Sequence, residues 1–349
     1  MIPTKQTCTY KIAENCGIRA DVYRPDDQLT RPAIVWIHGG ALIGGHRADL
    51  RDSHRDAYLN AGFAIVSIDY RLAPETKLAA IIEDLQDALR WVREQGPQLF
   101  AIDPDRLGVV GHSAGGYLTL MSGFCCRGEP AGSPVPGSAG GPGGPPLREV
   151  PPADGVSVEP SRAHARDRPW TPKALVSFYG YGDIVGGWYT GPDPYYCRLP
   201  PVSEEDARAS VGTTPISCVE GSNNRFRFYL YCRQNGLWCK EVAGHDPHAE
   251  PDAFAPFCPV HHVTKDYPPT LLLHGDQDTD VPYQQSVMMA EALARAGVEH
   301  ELITIPGGGH GFDSSTRLGA VSPSHRGTDS PLAADAFSRA LAFLLTHLT

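Results

Sequence analysis

Runs of apolar residues that are too continuous for half-exposed strands constrain this chain more than any other feature. Three of them occur at 33–37, 63–68 and 107–110. Such runs are typical of parallel strands that are buried on both faces of a sheet. Helical patterns at 47–60 and 78–94 lie between them. An alternation of this kind predicts an α/β protein with a doubly wound, mostly parallel sheet.

Further patterns extend the sheet at both ends of the chain. Short alternating stretches at 8–13 and 19–24 flank a turn signal and predict an N-terminal antiparallel hairpin. Later strands are expected at 174–178, 270–274 and 301–305, and helices at 283–296 and 332–348.

Two stretches interrupt this alternation. Residues 127–172 are dominated by Gly, Pro, Ser and Ala, which predicts a mobile surface loop because such a segment buries little apolar area. Residues 183–263 are rich in aromatic residues and lie between two expected strands, so we predict a cap insertion over the carboxyl ends of the strands. The alternative is that these aromatic residues only hold a surface insertion together. Outside these two stretches, we predict that residues 1–126 and 264–349 form the α/β core domain and that 173–182 contribute a strand to it.

Charge and hydropathy limit the kinds of partner and the cellular location that we expect for this protein. The formal net charge of −10 comes without a basic cluster, which argues against a nucleic-acid partner. The first residues lack the apolar core of a signal peptide, and no run of 18 apolar residues occurs, so we expect no membrane span and a cytoplasmic location. The expected partner is a small-molecule ester substrate, and a homodimer is an open alternative to a monomer.

The cysteines favour reduced thiols. There are nine, an odd number, and none forms a C-x-x-C pair or has the spacing of zinc ligands. Five lie between 197 and 258, so one or two disulfides in that region stay open. We expect no metal and no cofactor.

The strongest chemical motif is G-x-S-x-G at 111–115. It directly follows the strand at 107–110 and precedes a helical run, a context in which small residues allow a tight strand-to-helix turn that exposes the serine hydroxyl. Glycine and serine are common in ordinary turns, so the setting matters more than the letters. We predict that Ser113 is a nucleophile.

A serine hydroxyl needs a base, and the base needs an orienting acid. His310 lies in a glycine-rich loop after the last expected strand and is the predicted base. Asp278 is the predicted acid, from the spacing H-G-x-x-D-x-x-V-P that begins at His274. Asp276 and Asp280 are alternatives that could instead cap the next helix or hold the loop.

Acyl transfer also needs donors for a developing oxyanion. Gly39, Gly40 and Ala41 follow the strand at 33–37, and Ala114 follows the serine. We predict that the backbone N–H groups of Gly40, Ala41 and Ala114 form an oxyanion hole and that Gly39 lets the loop approach substrate. A plain strand-to-helix turn is the alternative interpretation.

Together these motifs resemble the hormone-sensitive-lipase-like esterases and the acetyl and feruloyl esterases of the α/β-hydrolase superfamily. The resemblance covers about 18–123 and 265–348 and includes the segment Asp69 to Glu75. It implies an α/β-hydrolase fold and hydrolysis of carboxylic esters, usually of short acyl groups, through an acyl-serine intermediate without a cofactor. Ala41 stands where the family usually has a third glycine. His112 stands where the lipase-like branch has an acid, which favours the carbohydrate-esterase side.

The sequence therefore predicts a serine carboxylesterase that acts on short-chain acyl or carbohydrate esters. Asp69 and Arg71 are predicted to form a structural ion pair behind the serine turn. An amidase or peptidase similar to the prolyl-oligopeptidase-like or formamidase-like enzymes is one alternative, because the same three side chains serve both reactions. A non-catalytic ligand receptor on the same fold is the other.

Overall fold

A computed structural model describes residues 3–126, 170–219, 224–313 and 331–349. The predicted loop at 127–172 therefore lies outside the described residues, except for its last three positions. Among the described residues, no helix is both long and apolar enough to cross a membrane.

The centre of the molecule is one eight-stranded sheet with the order β1-β2-β4-β3-β5-β6-β7-β8. Its strands are β1 (Thr4–Ala13), β2 (Cys16–Arg24), β3 (Arg31–Ile37), β4 (Ala64–Ile68), β5 (Ile102–His112), β6 (Ala174–Phe178), β7 (Thr270–Gly275) and β8 (His300–Ile305). β1 and β2 form an antiparallel hairpin, and β2 is antiparallel to β4. The strands from β4 to β8 are all parallel. The predicted fold class, an α/β-hydrolase fold with an N-terminal hairpin, is confirmed.

Nine α-helices are found among the described residues. They are α1 (Asp52–Asn60), α2 (Leu78–Phe100), α3 (Ala114–Cys125), α4 (Gly187–Thr190), α5 (Glu204–Ala209), α6 (Phe226–Asn235), α7 (Trp238–Ala243), α8 (Gln284–Ala296) and α9 (Pro331–Leu348). Two buried clusters cover the faces of the sheet. One includes side chains from α2, α3 and α8, and the other includes side chains from α1 and α9.

Two helices differ from the sequence expectation. The helix predicted at 47–60 is split into a 3-10 turn, Arg47–Asp49, and α1. The first turn is separated from α1 because the N–H and the guanidinium of Arg47 both bind the buried carboxylate of Asp69. The helix predicted at 78–94 continues through Pro97 to Phe100, whose buried side chain packs on Trp91. Burial of that ring extends the helix beyond the point where Gly96 and Pro97 suggest a stop.

The insertion at 183–263 contains α4 to α7 and lies between β6 and β7 in the chain. Its aromatic side chains include buried members of the main apolar cluster, such as Tyr189, Phe228 and Trp238. The role of this insertion as a cap stays a prediction.

Candidate active site

Ser113 lies on a strained turn between β5 and α3. Its backbone has φ 55° and ψ −117°, a combination that L-residues rarely adopt and that is common at functional turns. The turn needs the glycines of the motif, because a Cβ at Gly111 would overlap the carbonyl of Gly115. A Cβ at Gly115 would likewise overlap the carbonyl of Ile37. The N–H of Ser113 donates to the carbonyl of Phe178 at 2.9 Å, which fixes the turn to β6.

His310 reaches this serine from the loop that follows β8. Its Nε2 is 2.9 Å from Ser113 Oγ, and its Nδ1 is 2.8 Å from Asp278 Oδ2. With the proton on Nδ1, the ring donates to Asp278 and accepts from the serine hydroxyl. The structure therefore brings together the three side chains that the sequence singles out, at distances suited to proton transfer.

Asp278 is buried beneath the histidine and fully hydrogen-bonded. Oδ1 accepts the N–H groups of Asp280 and Val281 at 2.8 and 2.9 Å. Oδ2 accepts from His310 and also lies 3.2 Å from Nε2 of His274. Burial by itself raises the pKa of Asp278, but the charge of His310 and the hydrogen bonds of both histidines lower the pKa well below its ordinary value.

The two alternative carboxylates have different roles. Asp276 accepts the N–H of Gly307 at 2.7 Å and so holds the loop that leads to His310. Asp280 turns toward the insertion and accepts a hydrogen bond from Tyr196 at 2.8 Å. Of the three carboxylates, only Asp278 pairs with Nδ1 of His310.

The electrostatic environment of His310 favours its protonated form. Burial lowers the pKa of the imidazole, but the charges of Asp278 and Asp280 outweigh that effect and raise the pKa to about 9. A base with a raised pKa accepts the serine proton more readily, but it must first be neutral. The neutral fraction grows as the pH rises toward 9.

The predicted oxyanion loop passes directly beside Ser113. A Cβ at Gly39 would lie 3.3 Å from the Cβ of Ser113 and 2.9 Å from the carbonyl oxygen of His112. Gly40 and Ala41 follow with φ of 104° and 56°. Ala114 is the first residue of α3, where an N–H has no acceptor within the helix. These residues flank the serine on two sides, and their role as oxyanion donors stays a prediction.

The insertion holds this loop in its left-handed conformation. The indole Nε1 of Trp238 donates to the carbonyl of Ala41 at 3.1 Å. The guanidinium of Arg225 donates to the carbonyls of Ile43 and Ala73 at 2.6 Å each, and it pairs with the buried Glu75. These contacts join distant parts of the chain, and no local sequence signal reveals them.

A second buried cluster lies behind the serine and also escapes sequence analysis. Asp313 pairs with Arg51 at 2.8 Å, and its carboxylate contacts His112 at 3.1 Å and accepts from Tyr179 at 2.8 Å. The ring of Tyr179 packs edge-on against His310, with centroids 4.8 Å apart. Because Asp313 follows His310 by three residues, this cluster ties the histidine loop to the serine turn. The signal available in the sequence is an acid just after His310 and a histidine just before Ser113.

The predicted ion pair between Asp69 and Arg71 is wrong. Asp69 pairs with Arg47 at 2.7 Å, whereas Arg71 pairs with the buried Asp84 at 2.8 Å. Each side chain is bound instead by a residue distant in the chain, since the N–H and guanidinium of Arg47 bind Asp69, and the carboxylate of Asp84 accepts from both the N–H and the guanidinium of Arg71.

One group of side chains among the described residues has the donor spacing of a metal site. His54, His112 and Asp313 place ligand atoms within 4.8 Å of one another, and all three are buried. The guanidinium of Arg51 already neutralises Asp313, and a second cation beside it would be repelled. These residues fit an ion-pair cluster better than a metal centre. Eight cysteines are free thiols in the structure: Cys8, Cys16, Cys125, Cys126, Cys197, Cys232, Cys239 and Cys258.

Two protein-family models match parts of the chain. The BD-FAE model matches residues 20–135, which include Ser113, and the prolyl oligopeptidase family model matches residues 228–322, which include Asp278 and His310.

The curated relatives are much larger proteins, and this chain matches only a part of each. The non-reducing polyketide synthase ausA of Aspergillus calidoustus is 28% identical over 92% of this chain and 14% of its own length. The corresponding synthase atr1 of Stereocaulon alpinum is 29% identical over 88% of the chain and 12% of its length. The chain thus spans less than a sixth of these relatives.

Solved structures share the fold. An α/β-hydrolase superfamily protein from Enterococcus faecalis has a TM-score of 0.65 at 20% identity, covering 98% of this chain and 99% of the other. A truncated carbohydrate esterase from gut microbiota has a TM-score of 0.59 at 24% identity, covering 98% and 96%. The esterase Est2 of Thermogutta terrifontis has a TM-score of 0.60 at 21% identity, covering 98% and 92%.

Proposed function

We propose that this chain, which has an α/β-hydrolase fold, is a serine carboxylesterase with Ser113 as nucleophile, His310 as general base and Asp278 as the orienting acid. The observation that carries the proposal is the continuous hydrogen-bonded line from Ser113 Oγ through His310 to Asp278, with distances of 2.9 and 2.8 Å. The strained backbone of Ser113 supports the same assignment.

The reaction follows from these contacts. His310 Nε2 takes the proton of Ser113 Oγ as the oxygen attacks the ester carbonyl, and the resulting imidazolium is stabilised by Asp278. The same Nε2–H then protonates the leaving alcohol, which leaves an acyl-serine. A water molecule loses its proton to His310 and attacks the acyl group, which releases the acid and restores the serine.

Negative charge develops on the carbonyl oxygen in both steps. The N–H groups of Gly40, Ala41 and Ala114 are the proposed donors, because their residues adjoin the serine and Trp238 fixes the carbonyl of Ala41 on the loop. Donors held in place before the reaction need no reorganisation when the charge appears.

The proposed substrate class is based on the similarity of this chain to known esterases and to polyketide synthases. Short acyl and carbohydrate esters are the first candidates, because the family resemblance and the names of the solved esterases point to them. The curated relatives synthesise polyketides by name, so polyketide acyl groups belong among the candidates as well. Ester and thioester carbonyls undergo the same addition to an activated serine.

A substrate panel tests the proposal. The chain should hydrolyse p-nitrophenyl esters of two to eight carbons and acetylated or feruloylated sugars. Ser113→Ala should lower the rate by at least about 1,000-fold, because no other group supplies the nucleophile. Comparable rates in the wild type and Ser113→Ala would contradict the proposal.

Amide hydrolysis is the second candidate, because the prolyl oligopeptidase family model covers both Asp278 and His310. Acyl p-nitroanilides and formanilides, assayed beside the matching esters, separate the two reactions. Turnover of amides with inert esters would favour this candidate. A non-catalytic receptor would bind small acyl ligands but leave every member of the panel intact.

A further inference from the structure

A second carboxylate faces the reactive side of His310. Oδ2 of Asp280 lies 3.4 Å from Nε2, the same nitrogen that contacts Ser113 Oγ at 2.9 Å. The Asp280 side chain is 19% exposed, whereas that of Asp278 is fully buried. Asp278, by contrast, contacts only the opposite nitrogen of the ring.

The insertion saturates the other oxygen of Asp280. Oδ1 accepts hydrogen bonds from the hydroxyl of Tyr196 at 2.8 Å, from the hydroxyl of Tyr229, and from Nη1 of Arg233 at 2.9 Å. Three donors on one oxygen fix the plane of the carboxylate. Oδ2 is thereby directed toward the histidine.

Arg233 is itself held rigidly. Its side chain is 1% exposed, pairs with Asp193 at 2.5 Å and lies over the rings of Tyr189, Tyr196 and Tyr229 at 4.8 to 5.7 Å. Such a surrounded guanidinium does not follow small movements of the active-site loop. The position of Asp280 is therefore set by the insertion.

The interaction between Asp280 and His310 is repulsive when the ring is neutral at Nε2 and attractive when Nε2 is protonated. At 3.4 Å it is long for a hydrogen bond but short for an ion pair. When Nε2 is unprotonated, its lone pair and Oδ2 are both acceptors. When Nε2 carries a proton, the imidazolium and the carboxylate attract each other.

Other groups also influence the ring. Those facing His310 are Asp278 and Asp280 from the loop after β7, Arg233 from α6, Tyr179 after β6, and His112 and Ser113 at the end of β5. The two carboxylates raise the pKa of the histidine and Arg233 lowers it. The insertion therefore acts on that balance in two ways, directly through the charge of Arg233 and indirectly by holding the carboxylate of Asp280.

We propose that Asp280 is a positioning residue of the catalytic site, held by the insertion, that stabilises the imidazolium of His310 from its Nε2 side. This inference rests on the proposed esterase function. Its consequence is that the insertion sets the pH range of catalysis.

The test is the pH profile of kcat/KM with one p-nitrophenyl ester. Activity rises with pH as His310 loses its proton. Asp280→Asn should move this rise to lower pH by about one unit, because a carboxylate near a cationic ring shifts its titration by that order. Asp278→Asn should lower the rate about 10,000-fold because the ring loses its orientation.

A second variant should shift the pH at which activity rises in the opposite direction. Tyr196→Phe with Tyr229→Phe removes two donors and leaves the charge of Asp280 less compensated, so the rise should move to higher pH. Asp246→Asn is the matched control, because it removes a carboxylate of the insertion that pairs with Lys240 on the surface. The control should not move the profile.

The outcomes separate the inference from the proposed function. Active sites are counted by fluorophosphonate labelling of each variant. Suppose that Asp280→Asn or the double tyrosine variant is labelled like the wild type, but its kcat/KM rises within about 0.2 pH unit of the wild-type value. That result would overturn the role of Asp280 while the esterase function stands. A wild-type protein that neither labels nor hydrolyses esters would overturn both.

Discussion

Asp278 and Asp313 are both buried acids, yet different surroundings keep them charged. Asp278 is compensated by two histidines and two backbone N–H groups. Asp313 is compensated by Arg51, His112 and Tyr179. The first contacts the ring proposed as the base, and the second holds the loop from which that ring projects.

The sequence could identify one of these acids and not the other. Asp278 lies in a recognisable spacing after a strand, whereas the partners of Asp313 are Arg51 just before α1, His112 at the end of β5 and Tyr179 just after β6. Pairings of this kind depend on tertiary structure, and so does the failure of the expected pair between Asp69 and Arg71.

Asp313→Asn should lower the free energy of unfolding at pH 7 by about 3 kcal/mol, because it leaves the guanidinium of Arg51 without its buried partner. Urea unfolding measures the change. Burial raises the pKa of Asp313, but the charges of His112 and Arg51 lower it below the ordinary value of 3.8.

That lowered pKa fixes the sign of the pH dependence. The stabilisation is complete above the unfolded pKa of 3.8 and is lost as the pH falls toward the folded pKa. The difference between wild type and Asp313→Asn should therefore shrink below about pH 4. A difference that stays constant down to pH 2.5 would argue against this ion pair.

The regular elements follow from sequence patterns more directly than the side-chain pairs do. Continuous apolar runs predict the parallel strands because both faces of the sheet are covered. β3 and β4 correspond closely to two of the three runs, and β5 extends beyond the third at both ends. The departures occur where tertiary contacts override local preference, as in the split before α1 and the extension of α2.

α7 is one of the parts of the insertion that contact the predicted oxyanion loop, through the side chain of Trp238. Trp238→Phe removes the hydrogen bond to the carbonyl of Ala41 but keeps an aromatic side chain at that position, so kcat for ester hydrolysis should fall up to about tenfold while KM changes little. The loop adopts a left-handed conformation that needs this support.

Trp188→Phe supplies the matched control. Trp188 also lies in the insertion, and within the described parts of the chain its indole nitrogen has no hydrogen-bond partner. This substitution should leave kcat unchanged. Equal losses in the two variants would indicate a general effect of altering the insertion rather than support of the loop.

The whole molecule is organised around one mostly parallel sheet, with the reactive groups beyond the carboxyl ends of its parallel strands. The order Ser, Asp, His along the chain places these side chains after β5, β7 and β8, and the sheet brings them to one edge. That convergence could be predicted, because parallel strands end on the same side. The network through Asp280, Arg233 and the tyrosines could not, because the insertion has no family pattern that specifies it.

The central claim is that His310 activates Ser113. Peptide mapping by mass spectrometry after brief exposure to a fluorophosphonate tests it most directly. We expect one adduct, on Ser113, in the wild type, none on Ser113→Ala, and a labelling rate at least about 100-fold lower in His310→Ala. An adduct elsewhere, or equal labelling of Ser113 in His310→Ala, would contradict the account.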